Sequence, residues 1–299
     1  MREDVVCSYA SRDEAKAERF RRRYGGRTRY GSYGAALDDP TVDAVVVAVP
    51  PRFHLDLTLR ALAARKHVLV EKPAFPTLED FQTAATARDE NQRIVLVGEN
   101  DHYKPLAVCL RRLLTQDAIG EMVFAHFTTL VKRLKTRGDW RNDLALAGGD
   151  AFFEEGIHWL HLANSLGPVI TSVEGYRPGP ARSPTATDTR PKSMLVSFRY
   201  DNDAVGSLFY SREVPSLLRG LRLSKLFGRD GIITFESNGA FVLVRGRGFP
   251  RLIVPGVRDI RGYQAMYRDF VSAVRHQRPP QMSLEAAMAD QRLMERIAA

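Results

Sequence analysis

Apolar positions in the first hundred residues cluster in short runs at 5–10, 43–49, 68–70 and 94–98, separated by stretches with helical spacing. Short runs of this kind, bounded by turn residues, predict buried strands. The intervening stretches predict helices. The first covers 13–24, with Ala15, Ala17 and Phe20 turned inward and Gly25-Gly26 as its stop. A short helix ending before Pro40 follows, then helices at 54–65 and 78–88. Strands alternating with helices of this size predict a parallel sheet built by right-handed crossovers.

After Asn100 the pattern changes. A helix is predicted from Pro105 to 114, a strand at 122–131 and an apolar helix at 148–166. Strands follow at 170–176, 193–200, 204–210, 219–227, 231–236 and 241–244, with two closing helices at 263–275 and 283–297. A run of strands without intervening helices predicts a mostly antiparallel sheet in an α+β second domain. Alternation puts Leu195, Ser197 and Arg199 on one face and Val196 and Phe198 on the other. In the next strand it separates Leu208 and Tyr210 from Ser207 and Phe209. Both faces are partly apolar, which predicts an open sheet covered by a second copy of the chain, in a homodimer or homotetramer. Residues 178–191, rich in Pro, Ser, Thr and Arg, predict an exposed loop.

Composition narrows the function classes. With 299 residues and 44% hydrophobic content, the chain can build about two domains with a sizeable core. No run approaches membrane-spanning length, and the start is not a signal peptide. Cys7 and Cys109 lie far apart in apolar runs, which predicts buried free thiols in a reducing cytoplasm. The formal charge of +9 favours anionic partners. Its arginines are dispersed, however, with no basic helix or aromatic-interleaved stripe. Nucleic acid is therefore not the expected partner, and a small polar molecule is.

The chain turns on Val68-Leu69-Val70-Glu71-Lys72-Pro73. Proline cannot donate to a ladder and restricts the residue before it, so the strand ends there. A glutamate and a lysine are left at the carboxyl edge of a parallel sheet, where open α/β folds bind ligands.

The residues that carry a family resemblance run in order along the chain. They are Asp43-Ala44-Val45-Val46-Val47-Ala48-Val49-Pro50 with His54, then Lys66-His67 leading into Val68–Pro73, then Val97-Gly98-Glu99-Asn100, Trp140-Arg141, and the stretch from Gly148 to His158. In this order the chain resembles the glucose–fructose oxidoreductase / inositol dehydrogenase / rhizopine-catabolism (Gfo/Idh/MocA) family. The resemblance implies a Rossmann-type doubly wound domain at 1–100 and an α+β substrate and oligomerisation domain at 101–299. It also implies an NADP- or NAD-dependent oxidoreductase acting on a hydroxyl or carbonyl of a sugar, cyclitol or related polyol.

By that resemblance Lys72, His158 and Glu154 are catalytic. The lysine ammonium steadies the developing alkoxide, oriented by Glu71, and the imidazole takes the hydroxyl proton. Glu154, four residues before His158, shares its helix face where relatives carry an aspartate. His102, Trp140 and Arg141 would bound the substrate with Lys72, Glu154 and His158. Ser11, Arg12, Val49, Pro50, Pro51, His54, Glu71, Lys72, Pro73 and Asn100 would line the cofactor. A serine and an arginine at 11–12, where an acid would bind the ribose hydroxyls, favour the 2′-phosphate of NADP. No metal set is expected.

Relatives begin with a strand and a Gly-x-Gly-x-x-Gly turn, and this sequence contains no such turn. The expectation is an N-terminally truncated Rossmann sheet, unpaired between its 5–10 and 43–49 strands, that binds the cofactor weakly until the turn is restored. A homologue that senses a ligand without turnover is the alternative.

Overall fold

The computed structural model describes residues 5–132, 146, 149–179, 192–215 and 221–298. The first unit holds two separate parallel sheets. In one, β1 (Tyr9–Ala10) pairs with β2 (Arg29–Tyr30) around helix α1 (Glu14–Tyr24). In the other, β3 (Ala44–Val47), β4 (His67–Glu71) and β5 (Val95–Gly98) lie in that order, with α3 (His54–Ala63) and α4 (Leu78–Asn91) as crossovers. Helix α2 (Tyr33–Asp38) leads from β2 towards β3. The expected single parallel sheet is thus divided between β1 and β3, the place where the sequence predicts unpaired edges.

Two details at the amino end depart from the sequence reading. The 5–10 strand shrinks to two residues, because Val5 and Val6 stay exposed and Cys7, expected to be buried, is exposed too. Of the three residues assigned to the inner side of α1, only Ala17 is buried. The ends of α1 follow local chemistry. Asp13 accepts a hydrogen bond from the Lys16 amide at 3.1 Å, and Gly25 leaves the helix at φ 76°.

The second unit is an eight-stranded sheet. Its strands are β6 (Met122–Leu130), β7 (Ile170–Tyr176), β8 (Ser193–Tyr200), β9 (Val205–Ser211), β10 (Leu223–Gly228), β11 (Gly231–Glu236), β12 (Val242–Arg245) and β13 (Arg251–Ile253). They run in the order β13-β12-β11-β10-β6-β9-β8-β7. All neighbours are antiparallel except β6 and β9, which run parallel. One face is buried under α5 (Pro105–Thr115), α6 (Ile157–Asn164) and the end of α8 (Leu284–Ala298). Phe127, Val196, Phe198, Leu208, Tyr210 and Phe235 fill that core, as the alternation at 195–199 and 207–210 predicts. The opposite face leaves Phe124 54% and Phe209 41% exposed.

The chain does not stay within one core after residue 100. Met266 and Phe270 of α7 (Tyr263–His276), with Met282, Leu284 and Ala287, pack into the core around β3–β5. Leu293, Met294 and Ile297 belong to the core under the eight-stranded sheet. Helix α8 therefore bridges the two. It also holds the loop after β4: Gln291 Nε2 donates to Pro76 O at 2.7 Å, and Glu295 Oε1 accepts from the Leu78 amide at 2.8 Å.

Candidate active site

Strand β4 ends at Glu71, followed by Lys72 and a cis Lys72–Pro73 bond. His54 fastens this edge to the loop after β3. Its ring nitrogens lie 2.8 Å from Val49 O and 3.0 Å from both Pro73 O and Ala74 O, and the ring is fully buried. Expected as a cofactor contact, His54 joins the 49–54 backbone to the 73–74 backbone. Burial lowers its pKa against the pull of those carbonyls.

Lys72 reaches across to the second unit, where its Nζ donates to Glu154 O at 2.9 Å. The sequence reading gave Glu71 the role of orienting Lys72; the hydrogen bond goes to the Glu154 carbonyl instead. Glu71 is pushed above the usual carboxylate range by burial, although the neighbouring Lys72 opposes this.

Residues 152–156 form a π turn rather than an α-helical one. Its two acidic side chains both pair with Arg212. Glu154 Oε2 accepts from Arg212 Nη2 at 2.9 Å, and Glu155 Oε2 accepts from Arg212 Nε at 2.8 Å. Arg212, on no motif, is the residue that fixes this turn and with it the carbonyl that holds Lys72.

His158 Nδ1 lies 2.6 Å from Glu99 Oε1, with Asp101 Oδ1 3.9 Å away. Glu99 is 2% exposed. Its burial favours the neutral acid, but the charges and hydrogen bond of His158, followed by His161 and Lys72, outweigh this and hold the carboxyl ionised. A carboxylate can only accept, so Nδ1 carries a proton, and whenever the ring is neutral it is Nε2 that presents the lone pair. Nε2 has no hydrogen-bond partner among the described residues. Glu99, Asp101 and His158 converge within 4.8 Å. The 2.6 Å contact between His158 and Glu99 is a hydrogen bond within this group.

Asn100 is turned away from the sheet edge, donating to Arg261 O at 2.7 Å. His102 stands on the same short turn, its Nδ1 2.9 Å from His161 Nε2. Trp140 and Arg141 lie outside the described residues. Ser11 Oγ accepts from the Asp13 amide at 3.2 Å, and the Arg12 guanidinium lies over the Phe53 ring at 5.8 Å. The end of β1 therefore faces the Pro51–Phe53 turn after β3. Arg212 and Asp290 lie on no motif, and their contacts with Glu154 and His161 join positions distant in sequence.

A family model described as an oxidoreductase family with an NAD-binding Rossmann fold matches residues 2–99, and its companion C-terminal-domain model matches 108–233. The chain belongs to the Gfo/Idh/MocA family. A dTDP-3,4-didehydro-2,6-dideoxy-α-D-glucose 3-reductase of Saccharopolyspora spinosa is 35% identical over 173 residues, covering 56% of this chain and 50% of the relative. A levoglucosan dehydrogenase of Pseudarthrobacter phenanthrenivorans is 24% identical over 240 residues, covering 73% and 58%. The chain thus spans about half the length of the curated relatives it matches. Among solved structures, a 3-ketoreductase from Actinomadura kijaniata in complex with NADP and TDP-benzene superposes with a TM-score of 0.82. It is 21% identical, over 99% of this chain and 89% of the other. That likeness establishes the shared Gfo/Idh/MocA fold.

Two points of this Gfo/Idh/MocA chain suit the ends of a nicotinamide dinucleotide, while the glycine turn that would hold its pyrophosphate is not in this sequence. Glu71, Lys72 and Pro73 stand beside His158 at the carboxyl edge of β4, where the reactive ring belongs. At the other end Arg12 is exposed and makes no ion pair among the described residues, which suits an anionic ribose substituent.

Proposed function

We propose that this protein is an NADP- or NAD-dependent oxidoreductase that interconverts a hydroxyl and a carbonyl on a sugar, cyclitol or related polyol. The observation that carries this reading is the His158–Glu99 pair beside Lys72. The buried carboxylate holds the imidazole in the tautomer whose Nε2 accepts a proton and then stabilises the imidazolium that forms. Lys72, tethered by the Glu154 carbonyl, keeps N–H donors for an oxygen that gains negative charge as hydride leaves its carbon. The bound nicotinamide supplies the hydride acceptor or donor. In the reverse direction His158 returns the proton and Lys72 polarises the carbonyl. Arg12 pairs with a 2′-phosphate, which favours NADP. The relatives named above include a reductase of a dTDP-linked didehydro-dideoxyglucose and a levoglucosan dehydrogenase, which supports a sugar-like substrate.

The reading extends to assembly and location. The open face around Phe124 and Phe209 pairs with its copy to make a homodimer or a tetramer, and the protein works in the reducing cytoplasm. No described helix is long and apolar enough to cross a membrane.

The test of the chemistry is His158→Asn. It removes the proton acceptor while keeping a polar side chain, so kcat falls by about 10²–10⁴-fold with cofactor affinity unchanged. Equal loss of cofactor binding would assign His158 to structure.

A further inference from the structure

A second imidazole pair stands beside the His158–Glu99 pair and takes no part in the chemistry above. His161 is one turn along α6 from His158 and is buried, 4% exposed. Its Nδ1 lies 2.6 Å from Asp290 Oδ2 on α8, and its Nε2 lies 2.9 Å from His102 Nδ1. Asp290 is buried as well and accepts a further hydrogen bond from Asn164 Nδ2 at 3.2 Å. His102 is only partly buried, and its Nε2 has no hydrogen-bond partner among the described residues. We infer that His102, His161 and Asp290 form a proton relay that opens on the substrate cleft at His102 Nε2.

The tautomers follow from the donor inventory. Asp290 as a carboxylate accepts, so His161 Nδ1 carries a proton in every state. When His161 is neutral its Nε2 accepts, His102 donates from Nδ1, and His102 Nε2 offers a lone pair. When His161 is an imidazolium its Nε2 donates, His102 Nδ1 accepts, and His102 Nε2 carries the proton. The outer nitrogen thus changes from acceptor to donor while His102 stays neutral. A proton arriving from the cleft binds His102 Nε2 as the Nδ1 proton passes to His161. One proton enters and one moves inward, and the charge that appears on His161 is met by Asp290. The reverse shift returns a proton to the cleft.

The surrounding charges agree with this division. His161 meets Asp290 from α8, Glu99 from the end of β5 and Arg111 from α5. Burial lowers its pKa, but Asp290, with Glu99 adding to it, raises it further than burial and Arg111 lower it. His102 meets His161, Arg111, Glu99 and Asp269; burial and the first two of these groups bring it down to about 3. The inner ring takes the charge and the outer ring does not.

The use of this relay in turnover rests on the oxidoreductase reading, but the relay itself does not, and its test needs no substrate. Two-bond ¹⁵N–¹H spectra of the histidine-labelled protein report which nitrogen of each ring is protonated. Between pH 5 and 10, His102 is expected to remain neutral and to move its proton from Nε2 to Nδ1 at the midpoint at which His161 loses its charge. Asp290→Asn is expected to lower that midpoint by about one pH unit or more. A His102 tautomer that stays fixed while His161 titrates overturns the relay, and so does an absence of any His161 titration in this range. Both outcomes are read in the unsubstituted protein, so a poorly folding variant does not remove the test. In turnover, His102→Phe should lower kcat about tenfold or more and abolish the pH limb that matches the His161 midpoint. If the tautomer switch is seen and no hydride transfer occurs, the relay stands and the oxidoreductase reading fails.

Discussion

His158 and Lys72 are legible from sequence because a motif and a resemblance mark them, but what makes them act is not. Glu99 meets His158 across 59 positions, and Arg212 meets Glu154 across 58. A one-dimensional pattern carries no record of such pairs, because nothing local in Arg212 separates it from a surface arginine. Glu154 shows the same. Its four-residue spacing from His158 is visible in the chain, while the π turn that holds it and its pairing with Arg212 are not. Arg12 is the residue at which cofactor choice is testable. Its guanidinium lies over Phe53 and has no carboxylate partner among the described residues, so it can pair bidentately with a 2′-phosphate that NAD lacks. Arg12→Ala should weaken NADP binding tenfold or more, about 1.4 kcal/mol, and leave NAD nearly unchanged. Calorimetric titration showing equal losses for both would make Arg12 a surface residue.

At the scale of elements, the parallel strands were the most legible part. Val68, Leu69 and Val70 are fully buried between helices on both faces, and such a strand reads as an unbroken apolar run. The parallel β6–β9 pair and the short β13 were not foreseen, since pairing partners depend on tertiary placement and three residues make little pattern. The turn from β10 to β11 shows why register needs particular residues. At Gly228, where the β6 pairing shifts, an added Cβ would lie 2.1 Å from Ile119 O. A backbone oxygen cannot move aside as a side chain can. Gly228→Ala should therefore cost about 2 kcal/mol or more, in the range of overpacking, read as a lower midpoint in urea. A midpoint equal to the parent's would mean that the Ile119 loop yields freely.

At the scale of the molecule, α8 joins the two cores, and the sequence shows it only as one more amphipathic helix. Gln291 and Glu295 on it hold the loop beyond Pro73, and Asp290 lies behind His161. The site is thus assembled from the two ends of the chain as well as its middle. The outer sheet face tests the assembly. Phe124→Asp with Phe209→Asp places charge on an apolar face without touching the buried one. If that face pairs with its copy, light scattering should fall from at least twice 33.6 kDa to 33.6 kDa. A parent protein already of monomer mass would refute the pairing. The central claim is that Lys72 and the His158–Glu99 pair support hydride transfer to a nicotinamide. It is tested most directly by following absorbance at 340 nm with NADP and with NAD over a panel of aldoses, polyols and cyclitols, for the parent and for Lys72→Met. The account predicts turnover of at least one of these compounds, reduced about 10²-fold or more by the substitution. Turnover that survives Lys72→Met, or none with any compound while the dinucleotide binds, would contradict it.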